Sequence, residues 1–255
     1  MFGAIAGDII GSPYEFAPNK TKDFPLFRVY SNFTDDTTLT VAVADALIHD
    51  LDIIDTLKIY TRKYPDGGYG ESYIKWAFSD SRETYNSWGN GSAMRTSTVG
   101  YLFDKESDVI KNARDCAQIT HNHPEGIRGA QAVSLSIYMA RNGASKSDIR
   151  REISKWFNYN LDKTIEEIRP NYYFDVSCQG SVPQSIIAFL ESKDFEDSIR
   201  LVVSLGGDSD TMACITGGIS EAFYNEIPDE IISETRKRLP DEFLTIIDEF
   251  YEIIK

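Results

Sequence analysis

Apolar and small residues recur at helical spacing along most of the chain. The pattern predicts helices at about residues 3–11, 37–49, 53–64, 70–78, 107–119, 126–142, 146–157, 183–192, 195–205, 211–224, 229–238 and 241–254. Start signals support several of them, because Ser145, Asp194, Pro228 and Pro240 each stand where a helix begins. Strand-like alternation is confined to short pieces near residues 24–30 and 172–176. We therefore expect an all-α fold, a single compact orthogonal multi-helix domain over residues 1–255.

Glycines stand at every fourth position of the first predicted helix, at Gly3, Gly7 and Gly11. A nucleotide-binding loop would need GxGxxG spacing or a following lysine, and neither occurs here. Small residues on one helix face instead favour close packing against another helix. Gly217 and Gly218, inside a late helix, indicate in the same way that another backbone passes close by.

Two acidic clusters open predicted helices: Thr34-Asp35-Asp36, and Asp208-Ser209-Asp210 followed by Thr211. The helices behind them are rich in apolar and small residues, so we expect both to be buried. An isolated buried carboxylate is costly, because burial disfavours its charged form. A multivalent cation between the clusters would offset that cost, and oxygen ligands favour Mg²⁺ or Mn²⁺ over zinc. Ordinary N-capping is the alternative, since Asp and Thr side chains accept hydrogen bonds from a first helical turn.

The composition restricts the class of protein. A chain of 255 residues with 42% hydrophobic content can bury a substantial core, and it contains no membrane-length apolar run and no basic leader. Three cysteines without metal-site spacing, Cys116, Cys178 and Cys214, predict buried reduced thiols in a cytoplasmic protein. The net charge of −14 makes nucleic acids and anionic membranes poor partners, and it is compatible with a soluble monomer.

Glu15 and a glycine-rich segment could add chemistry to the acidic clusters. Glu15 is either an ordinary exposed glutamate or, given its apolar neighbours, a buried ligand or general base. The segment from Gly89 to Arg95 could bind a phosphate through its backbone N–H groups, or it could simply connect a loop to a helix. Arg95 could pair with a phosphate or with a surplus carboxylate.

Two of the three histidines stand close together, at His121 and His123. Because no third nitrogen or sulfur ligand has matching spacing, a neutral histidine beside a ligand is favoured over a zinc ligand. The segment 178–183 predicts a polar turn before a helix, which could line a pocket. No serine nucleophile elbow is recognisable, and this disfavours covalent acyl chemistry.

Taken in order along nearly the whole chain, these segments resemble the ADP-ribosylglycohydrolase family. The matching segments are Gly3 to Asp8 with Glu15, Phe33 to Thr37, Gly89 to Arg95, Thr120-His121 with Gly126, Gly129 and Ala130, Gln179 to Pro183, and Ser204 to Thr211. Each is short, but their joint order is highly specific. The resemblance implies an all-α fold with two Mg²⁺ or Mn²⁺ ions in a central cleft. It implies hydrolysis of the glycosidic bond between ADP-ribose and an acceptor.

The resemblance also implies roles for particular residues. Thr34, Asp35 and Asp36 would hold one metal ion, and Asp208, Asp210 and Thr211 the other, with one aspartate bridging. Glu15 and Asp36 would be the catalytic carboxylates, with Glu15 moving a proton or positioning water. The substrate-binding set would be Gly89, Asn90, Gly91, Ser92, Met94 and His121, around the diphosphate and the distal ribose.

The substrate implied is an ADP-ribosylated protein or an ADP-ribose-containing small molecule, and the sequence leaves the acceptor linkage open. Between Tyr69 and Trp88 no motif matches, although this stretch can help to shape the cleft in the family. Two alternatives stay open. Paired carboxylates also fit a binuclear-metal phosphohydrolase, and a relative that binds ADP-ribose without turnover would keep the same fold.

Overall fold

The computed structural model describes residues 1–254, and in that range it contains fifteen α-helices and no β-strand. The helices are α1 (Phe2–Gly11), α2 (Asp35–Ile48), α3 (Ile53–Lys63), α4 (Glu71–Ala77), α5 (Gly91–Met94), α6 (Ser97–Leu102), α7 (Glu106–Gln118), α8 (Pro124–Arg141), α9 (Lys146–Phe157), α10 (Ile165–Ile168), α11 (Cys178–Glu191), α12 (Phe195–Val203), α13 (Ser209–Tyr224), α14 (Asp229–Arg236) and α15 (Asp241–Ile253). The all-α prediction is confirmed. No helix in the described range is long and apolar enough to cross a bilayer.

Three short helices, α5, α6 and α10, are missing from the sequence prediction because each is too short to display a period. The predicted polar turn at 178–183 is wrong, since these residues form the first turns of α11. Ser177 caps that helix by accepting the Gly180 N–H at 3.1 Å. Pro183 is the sixth residue of α11 and, because it has no N–H, it donates no hydrogen bond to the turn before it.

Helices α1 and α13 run antiparallel at the centre of the fold in unusually close contact. A Cβ added at any of the three glycines of α1 would collide with a backbone carbonyl oxygen of α13. The Cβ at Gly3 would meet that of Gly217, the Cβ at Gly7 that of Ala213, and the Cβ at Gly11 that of Ser209. The contacts therefore repeat every four residues, with the residue number rising along α1 and falling along α13. The glycine repeat therefore serves helix packing, as the sequence predicts, and it sets the register of the two helices.

Other helices enclose this pair. Helices α8, α11 and α12 pack against α13, α2 packs against α1, and α15 packs against α2 and shares a buried apolar cluster with α1 and α2. Every residue of α13 from Ser209 to Ser220 is buried as a result. The two acidic helix starts, those of α2 and α13, thus lie in the interior beside the end of α1.

We expect Gly7→Ala to destabilise the protein by about 3 kcal/mol or more, because the added methyl group overlaps the backbone of α13 at Ala213. For a chain of this size that is a fall of roughly 6–12 °C in melting temperature. Gly70→Ala is the matched control, since a Cβ there meets no atom within 4 Å. Equal melting temperatures for the two variants would contradict the close contact of α1 and α13.

Candidate active site

Asp8 is the one charged residue of α1, and it is fully buried. Its carboxylate accepts four hydrogen bonds: from the N–H and hydroxyl of Thr34 at 2.9 and 2.7 Å, and from those of Thr37 at 3.1 and 2.5 Å. Because Thr34 is the N-cap of α2, these bonds fix the first turn of α2 against α1. The acidic residues of that turn are thereby brought beside Asp8.

Two groups of three carboxylates form where α1, α2 and α13 meet. Asp8, Asp36 and Asp210 each offer one oxygen, and these oxygens lie within 4.8 Å of one another. The same is true of Glu15, Asp208 and Asp210. Asp210 belongs to both groups, so the arrangement could hold two neighbouring cations with one shared ligand.

Burial and mutual repulsion raise the pKa values of these acids. Burial raises the pKa of Asp8 to about 6, although its four hydrogen bonds oppose the shift. Burial and then the charge of Asp208 raise the pKa of Glu15 to about 7. The pKa values of Asp36 and Asp210 are well above the usual range, first through burial and then through neighbouring carboxylates. A bound cation would favour the charged forms of all of them.

The donor atoms fit a hard divalent cation. Asp36 Oδ1 is buried and has no hydrogen-bond partner in the described range, whereas Asp36 Oδ2 accepts a bond from the Thr211 hydroxyl at 3.2 Å. A buried carboxylate oxygen without a donor is costly. Neither group contains a histidine or cysteine from residues 1–254, so Mg²⁺ or Mn²⁺ suits the site better than zinc.

Among the residues of the two acidic clusters, Thr34 acts as a helix N-cap, which was the alternative to metal binding. Thr34 does cap α2, and its hydroxyl is committed to Asp8. Asp208 occupies the N-cap position of α13 but makes no capping bond. Asp35 lies outside both carboxylate groups and lines the cleft next to them, as does Thr211.

Sequence reasoning gave no role to Asp8, although it is the carboxylate around which the first group is built. The signal was available: a single charged residue in a helix that is otherwise apolar or glycine, so that burial of the helix had to bury the charge. Spacing alone could not relate it to Asp36 or Asp210, because the contact depends on how α1 packs.

A cleft of about 320 Å³ opens over these carboxylates. Its lining includes acidic and hydroxyl groups (Glu15, Asp35, Asp208, Asp210, Thr211), the glycine-rich segment and His121 (Gly89, Asn90, Gly91, Met94, His121), and apolar or aromatic walls (Leu39, Tyr73, Tyr85, Phe174, Val176). The unmatched stretch from Tyr69 to Trp88 thus contributes two of the aromatic walls. Segments far apart in sequence face one space, as an active site requires.

The glycine-rich segment presents two free backbone donors. In the described range the N–H groups of Gly91 and Ser92 have no protein acceptor, whereas Asn90 N–H donates to Val176 O at 2.8 Å. The Ser92 hydroxyl donates to Gly126 O at 2.7 Å and is not available to a ligand, and Ser92 is not among the residues that line the cleft. Such paired N–H groups are suited to an anion.

The Asn90 side chain connects this segment to the acidic groups, because its Nδ2 donates to Asp208 Oδ2 at 2.7 Å.

The two neighbouring histidines have different positions and different roles. His123 is the N-cap of α8 and accepts the Glu125 N–H at 3.2 Å, whereas His121 lines the cleft. Arg95 makes no ion pair among the described residues, so its predicted pairing with a surplus carboxylate is wrong.

A family model described as ADP-ribosylglycohydrolase matches residues 1–255 of the chain. The chain belongs to the ADP-ribosylglycohydrolase family. Among curated proteins of similar sequence, ADP-ribosylhydrolase ARH3 of Xenopus tropicalis is 26% identical over 302 residues, covering 89% of this chain and 86% of the relative. ARH3 of Homo sapiens is 26% identical over 311 residues, covering 90% and 86%.

Similarity extends to a solved structure and to a viral protein. A structure described as an ADP-ribosylglycohydrolase-related protein complex has a TM-score of 0.78 and 22% identity, and the match covers 100% of this chain and 96% of that one. A putative ADP-ribosyl glycohydrolase of Acanthamoeba polyphaga mimivirus is 27% identical over 287 residues. The structural match supports the fold, and the family match confirms the enzyme class predicted from sequence, a glycosidic-bond hydrolase.

We expect Asp210→Asn to raise the melting temperature of the metal-free protein and to abolish the rise that Mg²⁺ or Mn²⁺ produces. The substitution removes one charge from both carboxylate groups and replaces one oxygen of the residue that they share with an NH₂ group, which cannot bind a cation. Acids whose pKa is raised by folding lower stability as pH rises above about 4, the unfolded value. The gain in the metal-free variant should therefore be larger at about pH 8 than at about pH 5.

Asp248→Asn serves as the control for this measurement. It alters an exposed pair with Arg236 and should change stability by less than about 1 kcal/mol, with the metal response retained. Thermal melts with metal and with chelator distinguish the two variants. A metal-induced rise in Asp210→Asn as large as in the wild type would exclude Asp210 as the shared ligand.

Proposed function

We propose that this chain is a metal-dependent hydrolase that removes ADP-ribose from a modified protein side chain or a small molecule. The observation that carries the proposal is the cleft in which the second carboxylate group, with Asp210 shared by the first, lies opposite a glycine-rich segment with free N–H donors. The names of the ARH3 relatives support the ADP-ribosyl part of the substrate. The linkage to the acceptor stays open.

The metal ligands that we propose are drawn from the two carboxylate groups. Asp8, Asp36 and Asp210 would hold one Mg²⁺ or Mn²⁺ ion, and Glu15, Asp208 and Asp210 the other. Asp35 and Thr211, at the edge of the cleft, are the additional oxygen donors that the family pattern suggests. When bound, such ions orient ribose hydroxyl groups and polarise water.

Glu15 is the residue that we propose to move the proton. It is only half-buried, and it lines the cleft beside Asp208 and Asp210, so it can reach both a bound substrate and water there. Departure of the acceptor from the ribose passes through an oxocarbenium-like transition state. The neighbouring carboxylates Asp35 and Asp208 would stabilise the positive charge that develops on the ring.

The diphosphate would lie against the glycine-rich segment. The free N–H groups of Gly91 and Ser92 can donate to phosphate oxygens, and glycine at positions 89 and 91 leaves room for close approach. Because Asn90 of this segment is hydrogen-bonded to Asp208, a diphosphate held there would leave the ribose end of the substrate beside the acidic groups.

We expect free ADP-ribose to be released from an arginine- or serine-ADP-ribosylated substrate with Mg²⁺ or Mn²⁺, and not with chelator. The reason is that both carboxylate groups are repulsive without a cation. Chromatographic detection of free ADP-ribose measures it. Phosphate release without ADP-ribose would instead support the phosphohydrolase alternative. ADP-ribose binding without any release would support a relative that lacks turnover.

We expect Glu15→Gln to lower the turnover rate by about 10²–10⁴-fold while metal and ADP-ribose still bind. The reason is that glutamine keeps the shape and one oxygen that can face a cation, but it cannot give or accept the proton. Glu191→Gln is the matched control: its pKa is also raised by burial, but the residue is not part of the cleft lining. Single-turnover rates and calorimetric binding separate the two effects. Unchanged turnover in Glu15→Gln would remove Glu15 from the reaction.

A further inference from the structure

Arg95 contributes to the lining of the cleft, although no group of opposite charge among the described residues pairs with it there. The residue is fully buried, with no carboxylate partner in the described range. Its Nη2 donates to the Thr120 hydroxyl and to Cys116 O, each at 2.9 Å, and its Nε and Nη1 have no partner. A buried guanidinium without a counter-charge costs free energy, so a function should offset that cost.

The hydrogen bonds beyond Arg95 have a fixed direction. An arginine can only donate, so the Thr120 oxygen accepts from Arg95. Thr120 is fully buried, and its hydroxyl lies 2.7 Å from His121 Nδ1, with the Tyr85 hydroxyl as a further neighbour. A hydroxyl has one proton, and the imidazole nitrogen is a stronger acceptor than a phenol oxygen, which can itself donate to Thr120. The Thr120 proton therefore points at Nδ1.

The protonation of His121 then follows. Burial and, after it, the charge of Arg95 lower the pKa of His121 well below its usual value, so the ring is neutral and carries one proton. With Nδ1 accepting from Thr120, the ring proton lies on Nε2. Nε2 lies beside the glycine-rich segment, because a Cβ added at Gly91 or Gly89 would be 3.4 or 3.6 Å from it.

We propose that Arg95 and Thr120 are positioning residues which hold His121 in its Nε2–H tautomer, so that Nε2–H donates to the diphosphate on the glycine-rich segment. This inference rests on the proposed function for the identity of the ligand. It assigns Arg95 a part that sequence reasoning left between a phosphate and a carboxylate. Arg95 acts through two hydrogen bonds rather than by touching the ligand.

The tautomer itself can be measured on the ligand-free protein by ¹⁵N NMR of labelled histidine. We expect His121 Nδ1 to resonate as an unprotonated nitrogen and Nε2 as a protonated one. In Thr120→Val, which removes the hydroxyl at nearly constant shape, this preference should be lost, and Thr120→Ser should restore it. A protonated Nδ1 in the wild type would overturn the proposal.

The consequence for binding is measured by calorimetry with ADP-ribose and Mg²⁺. Thr120→Val should weaken binding about ten-fold, the size of one hydrogen bond to a charged group, and Thr120→Ser should recover most of it. Thr235→Val is the control, because it removes a buried threonine hydroxyl that has no partner and lies outside the cleft lining. Wild-type affinity in Thr120→Val would overturn the positioning role. If the wild type binds no ADP-ribose, the proposed function fails, whereas the NMR measurement still decides the tautomer.

Discussion

The close contact of α1 and α13 is the constraint on which the site depends. Only glycine lets the two backbones approach so closely at Gly3, Gly7 and Gly11, although each glycine costs about 0.5–1 kcal/mol relative to alanine inside a helix. The register that results sets Asp8 of α1 against the first turn of α13, where Asp210 lies. A looser contact would separate the acids that the site needs together.

The carboxylates gathered in this way oppose folding, and the surrounding structure limits their cost. Threonine hydroxyl and N–H groups hold Asp8, and Asn90 holds one oxygen of Asp208. Those bonds do not remove the repulsion, since the pKa values of Asp36 and Asp210 stay raised. Asp36 Oδ1 is left without a donor. The fold therefore carries an electrostatic strain that a divalent cation would relieve, so stability and metal binding depend on the same atoms.

Features of the fold and the site could be predicted from the sequence where they depend on residues close together in the chain. The helix behind Thr34-Asp35-Asp36 and the packing role of Gly7 were both predicted, because helical periodicity and glycine spacing are local patterns. The start of α11 was predicted too late, at residue 183, because proline is common at the first position of a helix, whereas Pro183 lies inside this one. The grouping of Asp8 with Asp36 is a tertiary contact that no spacing encodes.

The hydrogen bond from Asn90 to Asp208 joins the glycine-rich segment to the second carboxylate group. Asn90 is held by its own N–H to Val176, and Gly89 O accepts from the Cys178 thiol at 3.1 Å, so the glycine-rich segment is fixed from both sides. The glycine-rich segment and the second carboxylate group are thus parts of one hydrogen-bonded unit. A rigid unit of this kind favours catalysis, because its groups are oriented before the substrate arrives.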